Sequence, residues 1–305
     1  MKRVASLAAV YFALSIVGGA VFADRIVHRN VRSPIISSDR AAATEMATAL
    51  GARVENVAIT AGDGAALKGW LFTPRTLDAH SILLLHGIGG NRASMTDAAR
   101  MFLEAGYRTL TVDLRAHGES DGEFGVAGPR EADDTRRWIA WLQSAHSQDC
   151  VYAFGMSLGA GIAAQATDAP GLCAVVAVSV YDSVKETAFD RIGEQLHTGS
   201  WAGRTLLRPG VESGLLYLRW RYGLNVDGAS AVDAAAGAGA PILLIHGVDD
   251  DNTPVRHAQR IQAANPARVT LWLVPGATHQ NVRQAAGQAY STRILEFLAT
   301  HQTVR

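Results

Sequence analysis

Three side chains of the types used in nucleophilic hydrolysis stand far apart in the chain, each shortly after a predicted strand. Ser157 lies in FGMSLGAG, Asp250 follows PILLIHG, and His279 follows VTLWLVPG. A serine hydroxyl is a poor nucleophile unless a base removes its proton, and that base needs a carboxylate to orient it. The sequence therefore offers a candidate nucleophile, orienting acid and general base, provided that the fold brings the three strand ends together.

The residues around Ser157 predict a strand, a sharp turn and a helix. Gly155 and Gly159 flank the serine in a Gly-x-Ser-x-Gly spacing, and glycines at these positions permit the crowded turn that lifts a nucleophile above a sheet. The N–H of Leu158 falls at the start of the predicted helix, where the helix dipole favours negative charge. Leu158 is therefore a candidate donor to an oxyanion.

The same stretch also contains a pattern typical of dinucleotide-binding proteins. Gly159, Gly161 and Ala164 fit G-x-G-x-x-A, and Asp182 follows at the distance of about twenty residues that such a site requires. The first glycine of that fingerprint should directly follow the strand, whereas Gly159 comes later and already lies on the helix. We therefore interpret Gly161 as a small residue for helix packing and expect neither an organic cofactor nor a metal.

A second turn with little side-chain bulk follows the predicted strand SILLL. It has the sequence His86-Gly87-Ile88-Gly89-Gly90, so its backbone N–H groups can approach a substrate carbonyl. His86 and His246 each precede a glycine in a turn, and we interpret both as structural residues.

Alternating elements predict the sheet that must position these residues. A hairpin of strands at 54–60 and 66–74 begins the fold, and short apolar runs then alternate with helical stretches, which is typical of parallel strands buried on both faces. The fold class is α/β: a mostly parallel doubly wound sheet with an antiparallel N-terminal hairpin and an inserted helical cap at about 181–240. The later strands are predicted at 81–86, 108–113, 150–155, 174–180, 241–247 and 269–276, and the helices at 92–105, 129–145, 158–167, 254–264 and 287–300.

The N-terminal residues form a segment of a different kind. Residues 4–23 contain no charge, and about 20 apolar residues suffice for a helix to cross a bilayer, whereas the core of a cleaved signal is about 7 to 15 residues long. We expect residues 1–23 to be an uncleaved membrane anchor, with a cleaved signal as the alternative. Residues 24–52 then form a juxtamembrane linker with one short helix, and residues 53–305 form the catalytic domain.

Charge around this segment does not fix its orientation. Basic residues stand on both sides, so the positive-inside rule selects neither orientation, and we favour a catalytic domain on the extracytoplasmic side. They are Lys2 and Arg3 before the run and Arg25, Arg29 and Arg32 after it.

Composition excludes some classes of partner and leaves one question about the cysteines open. The 28 Lys and Arg balance the 28 Asp and Glu, so no positive field exists to attract nucleic acid. Cys150 and Cys173 are too few for a disulfide scaffold, and we expect two buried thiols. If their strands are adjacent and parallel, the two could form a bridge in an oxidising compartment.

With these motifs in place, the chain resembles the alpha/beta-hydrolase superfamily over about residues 54–300, most closely bacterial serine hydrolases of the serine aminopeptidase-like or dienelactone hydrolase-like kind. The order Ser, Asp, His, each at a strand end, is typical of that superfamily. Its oxyanion motif, nucleophile turn, acid motif and base motif match residues 86–88, 155–159, 246–254 and 276–279 respectively, and residues 113–122 resemble its Asp-x-Arg-Gly-x-Gly-x-Ser loop, with Ala116 in place of a glycine.

The resemblance implies roles for particular residues. Ser157 would be the nucleophile, His279 the general base and Asp250 the acid, selected over Asp249 and Asp251 by the motif, while Ile88 and Leu158 would provide the oxyanion hole.

One further residue is a secondary candidate for the acid. Asp182 follows the strand at 174–180, and some similar hydrolases carry their acid at this strand end.

We therefore expect a serine hydrolase acting on a small-molecule or lipid-like acyl substrate, an ester, thioester or amide. The alternative is a non-catalytic protein of this fold that binds lipid or a partner, since the sequence LLYLRWRY at 215–222 suits either packing or a lipid-facing surface.

Overall fold

A computed structural model describes most of the chain, and the contacts within it divide the chain into two units. We call residues 1–30 with 183–229 the helical unit, and residues 31–182 with 230–305 the sheet unit. Arg29 and Arg32, which entered the orientation argument, lie outside the described residues. Those described are 2–28, 33–75, 80–124, 128–145, 149–226 and 228–302.

Eight strands of the described residues form one sheet in the sheet unit. In chain order they are β1 (Arg53–Thr60), β2 (Ala66–Thr73), β3 (Ser81–Leu85), β4 (Arg108–Val112), β5 (Val151–Met156), β6 (Leu172–Val178), β7 (Ile242–Gly247) and β8 (Val269–Val274). Their spatial order is β1-β2-β4-β3-β5-β6-β7-β8. The β1–β2 and β2–β4 pairs are antiparallel, whereas every pair from β4 to β8 is parallel. The predicted fold class is confirmed.

Burial of the strands explains why their sequences differ in pattern. Every residue of β3, β4, β6 and β7 is buried, as continuous apolar runs require when helices cover both faces of a parallel sheet. In contrast, β1 is exposed at alternate positions along most of its length. The apolar runs therefore place the carboxyl ends of the central strands at one edge of the sheet, where open α/β sheets hold their sites.

Twelve α-helices lie in the described residues, and four of them belong to the helical unit. In chain order they are α1 (Lys2–Val27), α2 (Ser37–Ala49), α3 (Thr96–Glu104), α4 (Pro129–Ala145), α5 (Leu158–Ala164), α6 (Val184–Gln195), α7 (Gly199–Arg204), α8 (Arg208–Tyr222), α9 (Ala231–Ala236), α10 (Arg256–Ala264), α11 (Val282–Ala286) and α12 (Gln288–Ala299). The helical unit contains α1, α6, α7 and α8, and the sheet unit contains the others.

The helix α2 lies in the segment that the sequence assigns to a linker. Its residues Ala43, Met46 and Ala47 are buried and belong to the hydrophobic core of the sheet unit, together with Trp70 and Phe102. Because these side chains are small or flexible, the linker composition does not reveal their burial. The domain boundaries given above stay a prediction.

A disulfide joins the two cysteines. Cys150 immediately precedes β5 and Cys173 lies in β6, which is the parallel neighbour of β5. Their Cα atoms are 5.5 Å apart, within the range that a bridge requires. The expectation of burial is confirmed, but the expectation of free thiols was wrong because the adjacent strands bring the two residues close enough to bond.

The bridge should stabilise the sheet unit measurably. Cys150 and Cys173 are 23 positions apart, and closing a loop of this size in the unfolded chain contributes about 3 kcal/mol. We expect the free energy of unfolding of the double variant Cys150→Ser/Cys173→Ser, measured in urea, to be lower than that of the wild type by this amount. A reductant should lower the stability of the wild type to the same level and leave the variant unchanged. Equal stability of oxidised wild type and variant would contradict the bridge.

Candidate active site

The turn between β5 and α5 holds Ser157 in a conformation that few residues adopt. Its φ is 51° and its ψ is −110°, outside the allowed regions for an ordinary side chain. Two main-chain hydrogen bonds hold the turn: the N–H of Ser157 donates to the carbonyl of Val178 at 2.9 Å, and the N–H of Gly159 donates to the carbonyl of His86 at 3.1 Å. Strained backbone of this kind is typical of functional sites.

The glycines of the turn are required by close approaches of the backbone. A Cβ on Gly155 would lie 2.3 Å from the carbonyl oxygen of Gly159, and a Cβ on Gly159 would lie 2.2 Å from that of Leu85. A Cβ on Gly161 would lie 2.3 Å from Cζ of Tyr181. The first two glycines therefore permit the sharp turn at Ser157. The third permits α5 to pack closely, here against an aromatic ring, as we interpreted it from the sequence.

The three candidate side chains of the sheet unit lie in one hydrogen-bonded row. His279 Nε2 is 2.9 Å from Ser157 Oγ, and His279 Nδ1 is 2.8 Å from Asp250 Oδ2. With its proton on Nδ1, the ring donates to the carboxylate and accepts from the serine hydroxyl. This arrangement can move a proton from the hydroxyl to the ring while the carboxylate stabilises the charged imidazolium.

Asp250 differs from its neighbours because its carboxylate is buried and held by several donors. It is 4% exposed, whereas Asp249 and Asp251 are exposed. The N–H groups of Asn252 and Thr253 donate to its Oδ1 at 2.9 and 2.8 Å. Burial alone would raise the pKa of this carboxyl, but the hydrogen bonds from His279 and from the Thr253 amide outweigh it, so the pKa lies below its ordinary value.

Thr253 is a residue of the site that the sequence reasoning missed. Its hydroxyl donates to Asp250 Oδ2 at 3.0 Å and lies 2.9 Å from His279 Nδ1. Thr253 thus holds the carboxylate on the side where it meets the imidazole. The signal in the sequence is a threonine three positions after the acid, directly before Pro254.

The two histidines interpreted as structural are buried and neutral. His86 Nδ1 donates to the carbonyl of Gly87 at 2.7 Å, and its Nε2 accepts the N–H of Leu114 at 3.1 Å. Burial lowers the pKa of His86 to about 3. His246 Nε2 donates to the carbonyl of Thr253 at 2.7 Å, and burial also lowers its pKa. Both rings therefore support turns at the sheet edge without carrying charge.

Asp182, the secondary candidate for the acid, pairs with a different helix. Its Oδ1 is 2.8 Å from His257 Nδ1, and its Oδ2 is 3.0 Å from Arg260 Nη1. Both partners lie on α10. The structure therefore brings Asp250 to His279 and ties Asp182 to α10.

The backbone amides predicted for the oxyanion hole lie on two turns beside Ser157. Leu158 is the first residue of α5, so its N–H has no acceptor within the helix. Ile88 follows Gly87, whose Cα lies so close to Ser157 that an added Cβ would be 3.6 Å from the serine Cβ. The turn after β3 is held by a hydrogen bond from the N–H of Gly90 to the carbonyl of Gly87 at 3.1 Å.

The loop that follows β4 departs from its expected pattern at Ala116. Its φ is 61°, a left-handed conformation that a glycine adopts without strain. The loop is held instead by the carboxylate of Asp113, which accepts the N–H of Glu119 at 2.8 Å and the buried guanidinium of Arg92 at 2.6 Å. Ala116 therefore keeps the backbone shape of the expected glycine at a steric cost.

Among the described residues, no group of three or more His, Cys, Asp or Glu side chains could hold a metal ion.

A protein-family model described as the alpha/beta hydrolase fold matches residues 80–180. This range contains β3 to β6 and the turn that carries Ser157. The eight-stranded sheet and its strand order agree with that fold. The chain has the alpha/beta-hydrolase fold.

Solved structures extend this likeness of fold to nearly the whole chain. An esterase of Pyrococcus furiosus, Pf2001, superimposes with a TM-score of 0.67 at 22% sequence identity, covering 88% of this chain and 98% of the esterase. This likeness concerns the fold alone.

Two bacterial proteins are similar in sequence to this chain. YqkD of Bacillus subtilis (strain 168) is 24% identical over 239 residues, covering 77% of this chain and 76% of YqkD. YfhR of Escherichia coli (strain K12) is 25% identical over 256 residues, covering 80% of each.

The buried His86 should make the stability of the protein depend on pH. Its pKa is about 3 in the folded protein and about 6.5 in an unfolded chain, so the unfolded state binds the extra proton. The contribution is fully present above pH 6.5 and is lost as the pH falls toward 3, by about 1.4 kcal/mol per pH unit. Between pH 6.5 and pH 5, the free energy of unfolding measured in urea should fall by about 2 kcal/mol less in His86→Gln than in the wild type. The exposed His197 offers the control, and His197→Gln should keep the wild-type dependence. If the free energy of unfolding of His86→Gln depended on pH as in the wild type, the assignment of a neutral, buried ring would be contradicted.

Proposed function

We propose that the protein is a serine hydrolase that cleaves a carboxylic ester, thioester or amide through an acyl-enzyme intermediate. The observation that carries the proposal is the row in which His279 lies 2.9 Å from Ser157 Oγ and 2.8 Å from Asp250 Oδ2. The strained turn at Ser157 supports it, because such a turn presents a hydroxyl above the sheet edge. The likeness of fold to an esterase is consistent with ester substrates.

The chemistry follows from the hydrogen bonds of these side chains. Ser157 Oγ attacks the carbonyl carbon while its proton passes to His279 Nε2, and the Asp250 carboxylate stabilises the resulting imidazolium. The N–H groups of Ile88 and Leu158 stabilise the oxyanion, and such a donor is worth about 2.7 to 4 kcal/mol in a hydrolase. The imidazolium then protonates the leaving group, and a water activated by His279 hydrolyses the acyl-enzyme.

We propose that the chain acts at a membrane, with the sheet unit on the extracytoplasmic side. Residues Arg3–Val27 form one helix that is long and apolar enough to cross a bilayer by its length and composition. The disulfide between Cys150 and Cys173 supports the extracytoplasmic side, because such bonds persist in oxidising compartments. The alternative is secretion after cleavage of the N-terminal segment.

Covalent labelling tests the assignment of the nucleophile. A fluorophosphonate should label the wild type at a single site, and Ser157→Ala should abolish the labelling, because the hydroxyl beside His279 is the activated one. Ser144→Ala, at an exposed position, should be labelled like the wild type. A folded wild type that is not labelled would favour a non-catalytic protein that binds lipid or a partner.

The three consecutive acids provide a matched test of the orienting carboxylate. Asp250→Asn should lower kcat/KM for a p-nitrophenyl ester by about 10³- to 10⁴-fold, since an amide favours the wrong tautomer of the ring. Asp249→Asn makes the same chemical change at an exposed neighbour and should leave kcat/KM within a few-fold of the wild type. Similar losses in both variants would remove Asp250 from the proposed role.

A further inference from the structure

One face of α1 is packed against α8 inside the helical unit. A Cβ on Gly19 would lie 2.0 Å from the carbonyl oxygen of Gly210, and a Cβ on Gly214 would lie 2.8 Å from that of Gly19. The hydroxyl of Ser213 lies 3.3 Å from the carbonyl oxygen of Ser15. The two backbones therefore approach each other directly, which only small residues permit.

The contact runs along the second half of α1, with both chains in the same direction. It begins where Ser213 meets Ser15, continues where an added Cβ on Gly214 would lie 3.3 Å from Cβ of Ala23, and ends where Tyr217 donates to Asp24 Oδ1 at 2.9 Å. Ser15 lies near the middle of the uncharged run at 4–23. The docked region therefore includes the part of α1 that would occupy the centre and one half of a bilayer.

The helix α8 carries charges at the level of this contact. Glu212, which precedes Ser213, forms ion pairs with Lys185 at 3.0 Å and with Arg208 at 3.5 Å. If α1 crossed a bilayer while docked on α8, this cluster would lie near the middle of the hydrocarbon, where charged side chains are strongly disfavoured. The observed packing is therefore incompatible with a span through residues 4–23.

The face of α1 opposite Gly19 is bulky, apolar and exposed, and Val4, Phe12 and Ile16 outside this face are exposed as well. The residues of the face recur at spacings of three and four, which places them on one side of a helix, and their exposed fractions lie between 49% and 71%. They are Leu7, Val10, Leu14, Val17 and Val21. This face points away from the side that carries Gly19.

We propose that α1 lies along the surface of a bilayer with this bulky face in the lipid and α8 on the side of the water, so that the helical unit binds the membrane without crossing it. Helices with bulky apolar residues on one face and charged groups on the opposite side bind membranes in this manner. Here the charges on the opposite side belong to the docked α8, because residues 4–23 of α1 carry none. The exposed Trp201 of α7, in the same unit, is of the type enriched at membrane interfaces. The inference rests on the proposed membrane association and is independent of the proposed hydrolysis.

Two neighbouring positions distinguish a helix on the surface from a helix that spans. Ala8 lies on the face of Gly19, because the series 8, 12, 15, 19 follows the spacing of a helix, whereas Val10 lies on the bulky face. In a spanning helix the two would lie at nearly the same depth. The two native cysteines are bonded to each other, so Ala8→Cys and Val10→Cys each introduce a single free thiol.

The experiment uses the full chain reconstituted into sealed vesicles of phosphatidylethanolamine and phosphatidylglycerol, labelled with a maleimide that does not cross membranes. Glu55→Cys, at an exposed position of β1, gives the fraction of molecules that face outward. We expect Ala8→Cys to be labelled to that same fraction without detergent and Val10→Cys to be labelled at least ten-fold less until detergent is added.

Two other results would overturn the proposal. Protection of both thiols until detergent is added would show that α1 spans the bilayer. Labelling of both, in protein that does not float with the vesicles, would show that the helical unit does not bind lipid and would also remove the proposed membrane association. Neither result bears on the fluorophosphonate labelling of Ser157, so failure of the proposed hydrolysis is recognised separately.

A pair of adjacent glycines tests whether α8 sets the orientation of α1. Gly19→Leu should abolish the difference in maleimide labelling between the thiols at positions 8 and 10, because the leucine side chain would overlap Gly210. Gly18→Leu is the matched control, since nothing lies within 4 Å of an added Cβ there, and it should keep the difference. Persistence of the difference in Gly19→Leu would overturn the proposal that docking on α8 orients the helix.

Discussion

The crowded turn around Ser157 is the constraint on which the geometry of the site depends. A Cβ on Gly155 would meet the carbonyl of Gly159 and a Cβ on Gly159 would meet that of Leu85, so neither position tolerates a side chain. The N–H of Gly159 donates to the carbonyl of His86. This hydrogen bond ties the start of α5 to the turn after β3, which carries the second proposed oxyanion donor. The position of the hydroxyl, the orientation of α5 and the approach of the neighbouring turn are thus fixed by the same few backbone atoms.

The sheet and the row of Ser157, Asp250 and His279 could be predicted from the sequence for one physical reason. Parallel strands must be buried on both faces, so they appear as continuous apolar runs, and their carboxyl ends share one edge of the sheet. Polar residues that directly follow these runs are therefore neighbours in space even when they are far apart in the chain. The assignment of roles to these residues remains a proposal, whereas their proximity follows from the topology.

Other features depend on side-chain packing that no local pattern reveals. Thr253 reaches Asp250 because the chain turns tightly after β7, and the disulfide depends on the pairing of β5 with β6 as neighbouring strands. The contact of α1 with α8 joins small residues almost two hundred positions apart, and small residues are common in apolar helices for many reasons. In each case the sequence supplies compatible residues, while the pairing is decided by the tertiary structure.

The disulfide also affects the order in which the site is completed. The segment from Cys150 to Cys173 contains the strand β5, the whole turn of Ser157 and the helix α5. Oxidation therefore converts the segment that bears Ser157, the proposed nucleophile, into a closed ring made from contiguous chain. This ring needs only β5, β6 and their connection, whereas Asp250 and His279 belong to strands that emerge much later. During biogenesis the turn of Ser157 can thus be enclosed by a covalent ring before the proposed acid and base are folded, and only in a compartment that permits oxidation.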